Sequence, residues 1–231
     1  MRVAVVTPTM KRPHPAYLAA LEASIPALDA AGVTHGAGFE AGSPYISGAR
    51  ATLIRKAMVW GADVIVFIDH DVSWRPQDLV ALIKAEGDVV GGTYRYKLPN
   101  EPEQYMGLVD EPGPDGLPIV RADGAIKASR LPAGFLKVTK RCLYRFMQAY
   151  PQWNIVDEHL VPSPDLFHHG AEDGVWWGED YSFCRHWIKA GGEVWLLPDL
   201  DLTHHDFGGD AYPGNFHRFA LATTQPFRSA A

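Results

Sequence analysis

Two kinds of apolar pattern alternate along this chain. Val3-Ala4-Val5-Val6, Val64-Ile65-Val66-Phe67-Ile68 and Val89-Val90-Gly91-Gly92-Thr93-Tyr94 are short runs rich in β-branched residues, and they read as strands, the first two buried on both faces. The segments between them carry apolar residues at helical spacing. One covers about residues 15–31, with Pro26 expected to kink or divide it near its end. Another runs from about Ser47 to Trp60 and stops at Gly61, a residue suited to closing a helix. A third opens at Pro76, whose missing N–H costs little in a first turn, and reaches about Ala85. Residues 36–43 break the pattern. Strand, helix, strand, helix and strand in that order predict a right-handed parallel α/β sheet.

The character changes after Lys97. Residues 99–116 hold many Pro, Gly and acidic residues and predict a loop or a short antiparallel excursion. Residues 119–120 and 125–128 look like hairpin strands, 131–138 like a further strand and 141–150 like a helix. Residues 151–177 are aromatic, rich in His, Asp and Pro, and without a period. Loops of that length inside a compact domain are usually functional or mobile. Helical spacing returns at 179–190, ends at Gly191-Gly192, and gives way to a strand at 193–197.

With 231 residues, 47% hydrophobic and 21% charged, the chain suits one domain over 1–231, with halves at about 1–97 and 98–231. A net charge of -6 argues against an electrostatically driven nucleic-acid binder, while leaving room for a local basic groove. Cys142 and Cys184 are too few for a disulfide scaffold and wrongly spaced for a zinc site, so each reads as a small buried hydrophobe. The N-terminal run is too short, and Pro8 too early, for a signal peptide. No window approaches the roughly 20 apolar residues of a transmembrane helix. A cytoplasmic location is the default expectation.

Candidate chemistry centres on Asp69-His70-Asp71, which directly follows the central apolar run. In an open α/β sheet ligands bind outside the carboxyl ends of the strands, where both carboxylates would project. Hard divalent cations such as Mg²⁺ or Mn²⁺ favour carboxylate oxygens and bridge phosphates, so one reading is a metal–diphosphate clamp. The other is that Asp69 caps the next helix, or that both acids solvate a loop.

Further along, Arg50, Ala133-Gly134-Phe135-Leu136 and Trp177-Gly178-Glu179-Asp180-Tyr181-Ser182-Phe183-Cys184 follow the order seen in glycosyltransferases of the GT-A fold, family 2-like, and the chain resembles that family from about Val3 to His205. The unusually long aromatic loop before Trp177 departs from the pattern. The resemblance implies an α/β, Rossmann-like, mostly parallel central sheet flanked by helices, with a small antiparallel acceptor-side portion. It implies a donor site for a nucleotide sugar, with UDP expected as the nucleotide, at Thr7, Pro8, Thr9, Arg50, Asp69, His70 and Asp71. The metal, Mn²⁺ or Mg²⁺, would be held by Asp71, by Asp69 where that residue does not face the ribose, and by His204, with His205 as the alternative ligand.

On the acceptor side the resemblance implies Gly134 and Trp177, and makes Asp180 the catalytic base that removes the acceptor hydroxyl proton in an inverting enzyme. Glu179 is a catalytic candidate that also suits a helix N-terminus. Lys11 and Arg12 could meet phosphates or simply be loop cations. Gly91-Gly92 could allow close backbone approach or a turn. Trp176 and Trp177 could stack on a sugar or pack in the core. His168 and His169 could belong to a lid or be solvated.

The expected function is metal-dependent sugar transfer from a nucleoside diphosphate to a hydroxyl of a saccharide or of a hydroxymethylated DNA pyrimidine. Lys137, Lys140, Arg141 and Arg145 are the candidate DNA-facing patch, or an ordinary solvated helix face. Two rivals are a nucleotidyltransferase on a related core and a catalytically silent sugar-binding protein. A glycine-rich, basic loop after the first strand would favour the former and is absent from the sequence.

Overall fold

The computed structural model describes residues 1–99, 103–110, 113–115, 117–156 and 162–223. In the first part of the chain β1 (Arg2–Thr9), α1 (Pro15–Ala30), β2 (Thr34–Ala41), α2 (Ile46–Trp60), β3 (Val64–Ile68), β4 (Val72–Trp74), α3 (Pro76–Lys84) and β5 (Val89–Gly91) follow one another. The second part begins with β6 (Leu108–Val109), β7 (Ile126–Arg130), β8 (Phe135–Thr139) and α4 (Lys140–Ala149). It continues through β9 (Asn154–Val156), β10 (Pro162–Pro164), β11 (Gly170–Glu172), β12 (Val175–Trp177), α5 (Glu179–Lys189), β13 (Val194–Leu196), β14 (Leu202–His205), β15 (Ala211–Gly214) and α6 (Phe216–Thr223).

Eight strands form the main sheet in the order β2-β1-β3-β8-β5-β13-β7-β6, which mixes strands from both halves of the chain. The sheet is mixed, where the sequence predicted a mostly parallel one. The pairs β1·β2, β1·β3 and β5·β13 are parallel, but β8 runs antiparallel between β3 and β5, and β7 antiparallel to β13. Sequence order alone hides this, because a strand reached through a long excursion can enter from either end.

The strands show their two-residue period in the packing. Val3, Val5, Val64, Val66 and Ile68 face a core filled by Tyr17, Leu28, Leu79 and Leu82. Ala4, Val6, Ile65 and Phe67 face the opposite core with Leu53, Ile54, Phe146, Phe183 and Trp187. Each fully buried Val, Leu, Ile or Phe among them contributes about 1.5–3 kcal/mol. Cys142 and Cys184 are free thiols inside the second of these cores.

Several elements differ from expectation. Residues 34–41 form β2, a half-exposed strand whose glycines and polar residues mask its period. Helix α1 passes through Pro26 undivided. The hairpin expected at 119–128 is reduced to a single bridge, Val120 with Ile126, and the pairing continues along β7. The long aromatic segment contains two hairpins, β9·β10 and β11·β12, with residues 157–161 outside the described ones. A small sheet β15-β14-β4, with β14 antiparallel to both neighbours, stands beside the end of β3. Among the described residues no helix is long and apolar enough to cross a membrane.

Candidate active site at the end of the central strand

Asp69 leaves β3 with its N–H donating to the Gly134 carbonyl at 3.2 Å, and Val72 N–H turns the chain back onto the Asp69 carbonyl at 3.1 Å. The following β4 pairs with β14, so His204 lies opposite Val72 and beside Asp71. The next helix, α3, starts only at Pro76 and is capped by Arg75 and Asp78. Asp69 therefore has no capping role there. The loop after β1 is pinned to the same turn, with His14 N–H donating to the His70 carbonyl at 2.8 Å.

Asp69 is held from two sides. Arg50, on α2 and 1% exposed, donates from Nη2 to Asp69 Oδ1 at 3.0 Å and from Nη1 to Glu179 Oε1 at 2.6 Å. Its guanidinium also lies over the Phe167 ring at 4.9 Å. Burial works against the Arg50 charge, yet Asp69, Glu179 and Asp180 together raise its pKa. The other oxygen of Asp69 accepts from Tyr94 Oη at 3.3 Å. Burial, reinforced by the Asp69 charge, pushes the Tyr94 phenol well above its ordinary pKa and keeps it a donor. Gly134 is required here by space: a Cβ would lie 2.0 Å from Tyr94 Oη and 2.6 Å from Asp69 Oδ2.

Asp71 has a different company. Lys97 Nζ is bonded to its Oδ2, His70 Nε2 lies 4.0 Å from the same oxygen, and His204 Nε2 is 3.6 Å from Oδ1. Burial pushes the Asp71 carboxyl up, but contacts with His204 and Lys97 outweigh it and hold the group well below the usual carboxylate range. His204 Nδ1 sits 2.9 Å from the Arg95 carbonyl, which only accepts, so Nδ1 carries a proton. In the neutral ring Nε2 then presents its lone pair towards Asp71, and in the protonated ring an N–H. The space between the two groups thus favours positive charge. The Tyr94 ring packs edge-on to His204 at 5.1 Å, joining the two halves of the site.

His205, next along β14, turns the other way. Its Nε2 is 2.7 Å from Ser73 Oγ and its ring stacks on His14 at 4.7 Å. Between the two candidate imidazoles, strand alternation gives His204 to Asp71.

Asp180 stands at the N-terminus of α5, next to Glu179. Burial, together with the charges of Glu179 and Asp69 and against that of Arg50, pushes its carboxyl up to about 6. One of its oxygens accepts from Tyr181 N–H at 2.8 Å. Helix α5 is held in place by Leu131 N–H on Cys184 Sγ at 3.5 Å and by Gly107 N–H on Tyr181 Oη at 2.9 Å. Trp177 lies against Arg185 at 4.8 Å and Arg130 at 5.9 Å, whereas Trp176 is 71% exposed.

Most of the other candidates have partners of their own. Thr7, Pro8 and Thr9 are buried, the Thr7 hydroxyl is shared with Tyr17 Oη at 2.6 Å, and Thr9 donates to the Lys11 carbonyl. Lys11 and Arg12 are exposed on the loop. Gly91 and Gly92 allow close packing, since a Cβ would meet the Phe135 carbonyl at 2.9 Å and Leu202 at 2.8 Å respectively. His168 stacks on Trp153 at 4.7 Å, and His169 is 6.1 Å from Trp176 edge-on. The four basic residues do not form one groove: Lys137 is buried against the Ala85 carbonyl, Arg141 pairs with Asp88, Arg145 caps carbonyls 190 and 191, and Lys140 lies over Tyr144. Sequence reasoning passed over Tyr94 and Lys97, which lack a motif and reach the site only through the path of the chain after β5.

Among the described residues no group of three or more His, Cys, Asp or Glu is gathered closely enough to hold a metal ion. Asp71 and His204 nevertheless fit Mg²⁺ or Mn²⁺ as a pair, because such ions bind through one or two protein groups when substrate phosphates complete their shell. Asp69 lies beside them with its two oxygens accepting from Arg50 and Tyr94.

No protein-family model and no curated protein matches this chain. Two solved structures are similar in outline. A197 from STIV is 14% identical, covering 93% of this chain and 95% of its own, with a TM-score of 0.49. The inositol-1-phosphate CTP transferase from T. maritima is 14% identical, covering 100% and 98%, with a TM-score of 0.45. At these scores neither likeness bears on the chemistry, which is argued from the side chains.

Arg50→Ala leaves two carboxylates facing an empty, largely buried space and is expected to lower stability by about 3 kcal/mol in urea unfolding, with Arg50→Lys recovering only part because one ammonium cannot fork to both. Gly134→Ala is expected to destabilise by about 1–3 kcal/mol. Adding Tyr94→Phe, which deletes the nearest clashing atom, should return part of that loss in the same measurement.

Proposed function

We propose that the chain is a metal-dependent glycosyltransferase of GT-A type, transferring a sugar from a nucleoside diphosphate, UDP being the first choice, to a hydroxyl acceptor. The observation that carries this reading is the charge of the site: Asp69, Asp71, Glu179 and Asp180 share it with Arg50 and Lys97. A diphosphate can approach such a surface only together with further positive charge. Asp71 Oδ1 and His204 Nε2 are the residues that would hold a divalent cation. When bound, that cation supplies a Lewis acid for the departing diphosphate.

The remaining steps belong to side chains. Arg50 and Tyr94 hold Asp69 in one orientation, suited to a ribose hydroxyl or to an outer contact of the cation. Asp180, with its raised pKa, accepts the proton of the acceptor hydroxyl as that oxygen attacks the anomeric carbon. Glu179 is tied to Arg50 and therefore keeps α5, and Asp180 with it, at a fixed distance from the β3 turn. Trp177 offers a half-buried aromatic face beside this helix start. The acceptor class is a saccharide in this reading; the dispersed basic residues give no support to a DNA backbone.

Asp71→Ala is expected to abolish Mn²⁺-dependent binding of UDP-sugar in calorimetry. Asp180→Asn should leave that binding intact and lower turnover by about 10²–10⁴-fold. Equal donor affinity in wild type and Asp71→Ala would defeat the reading, and release of pyrophosphate from a nucleoside triphosphate in the presence of a phosphorylated acceptor, with no UDP released from UDP-sugar, would transfer it to a nucleotidyltransferase.

A base must be ionised to work, and the Asp180 carboxyl is raised to about 6. Turnover should therefore climb as pH rises through that value and level off above it, and the residual rate of Asp180→Asn should lack this limb. A pH–rate profile of both proteins checks the assignment.

A further inference from the structure

Resting on the donor reading above, we infer that Lys97 is an exchangeable counter-ion: its ammonium neutralises Asp71 in the ligand-free protein and passes to the donor's diphosphate when a divalent cation takes Asp71.

The two basic residues of the site are held in opposite ways. Arg50 is buried, forked between two carboxylates and covered by Phe167. Among the described residues Lys97 makes one ion pair, with Asp71 Oδ2, its charge is also felt by Asp206, and its side chain is 29% exposed. Its backbone is anchored, since Tyr96 N–H donates to the Gln104 carbonyl and Leu98 N–H to the Tyr96 carbonyl, both at 2.8 Å. Movement is thus confined to the four-carbon stem, whose rotamers let a point charge swing between neighbouring anions without a change of fold.

Asp71 offers one face to Lys97 and the other to His204. A cation bound by Asp71 and His204 reduces the attraction of that carboxylate for an ammonium by placing like charge a few ångströms away. A diphosphate bound with that cation would bring anionic oxygens beside Asp71, the carboxylate that Lys97 already touches. Binding of metal alone therefore works against Lys97, while binding of the diphosphate works with it. This produces opposite signs for the two ligands, a signature that loss of a merely structural contact does not give.

The test measures Mn²⁺ binding by electron paramagnetic resonance without nucleotide, and UDP binding by calorimetry at saturating Mn²⁺, in wild type, Lys97→Met and Lys97→Arg. Lys97→Met is expected to bind Mn²⁺ about 10-fold more tightly and UDP about 10-fold more weakly, with Lys97→Arg close to wild type in both. Thermal melts of all three proteins check the fold. Unchanged or weaker Mn²⁺ binding in Lys97→Met, unchanged UDP binding, or no Mn²⁺ binding by any of the proteins overturns the inference. A wild type that binds Mn²⁺ but not UDP sinks the donor reading and the transfer of Lys97 with it, whereas a wild type that binds both while Lys97→Met behaves identically sinks the counter-ion role alone.

Discussion

The rest of the site depends on one buried guanidinium. Arg50 comes from α2, Asp69 from the end of β3 and Glu179 from the start of α5, and the three meet where water has little access. A buried charge is tolerated only when it is paired and its hydrogen-bonding capacity is directed, and the planar fork of arginine satisfies two carboxylates at once. The pairing reaches across 129 residues of sequence between Arg50 and Glu179. It joins the two halves of the chain at the end of β3, where the candidate site lies. Such a clasp adds little net stability over an apolar substitute, but it penalises every arrangement that leaves one of its members alone.

From this constraint follows a division between two carboxylates that the sequence presents as a pair. Asp69 is held in one orientation by Arg50 on one oxygen and Tyr94 on the other. Asp71 has the part-exposed ammonium of Lys97 on one oxygen and an imidazole beside the other. Rigid on one side and exchangeable on the other is what a site needs if it is to stay assembled while ligands come and go. The raised carboxyl of Asp180 belongs to the same balance, because burial next to Glu179 and Asp69 disfavours a further negative charge despite Arg50.

Much of this was legible in the residues. The apolar run before Asp69, the helical period after Glu179 and the glycine that ends α2 all act locally, so their pattern survives in the sequence. The choice between His204 and His205 needed only the strand period, once β4 and β14 were known to be paired. That pairing, the strand β2 with its irregular polarity, and the roles of Tyr94 and Lys97 were not legible. Each depends on where a distant segment is laid down, and neither propensity nor spacing encodes that. The hydrogen bond between the Thr7 and Tyr17 hydroxyls is likewise hidden in the sequence, since it joins a strand end to a helix.

The mixed sheet is where fold and site meet. Because β8 runs against β3, its first residues, not its last, lie beside the carboxyl end of β3, and Phe135 pairs with Ile68. Gly134 is thereby brought under Asp69, where its carbonyl takes the Asp69 N–H and its missing side chain leaves room for Tyr94 Oη. A parallel strand in that position would have presented Thr139 to the same edge and directed the loop before β8, with its glycine, to the opposite end. The antiparallel insertion is therefore a condition for the Asp69–Tyr94 contact, and through it Tyr94 also packs against the His204 ring beside Asp71.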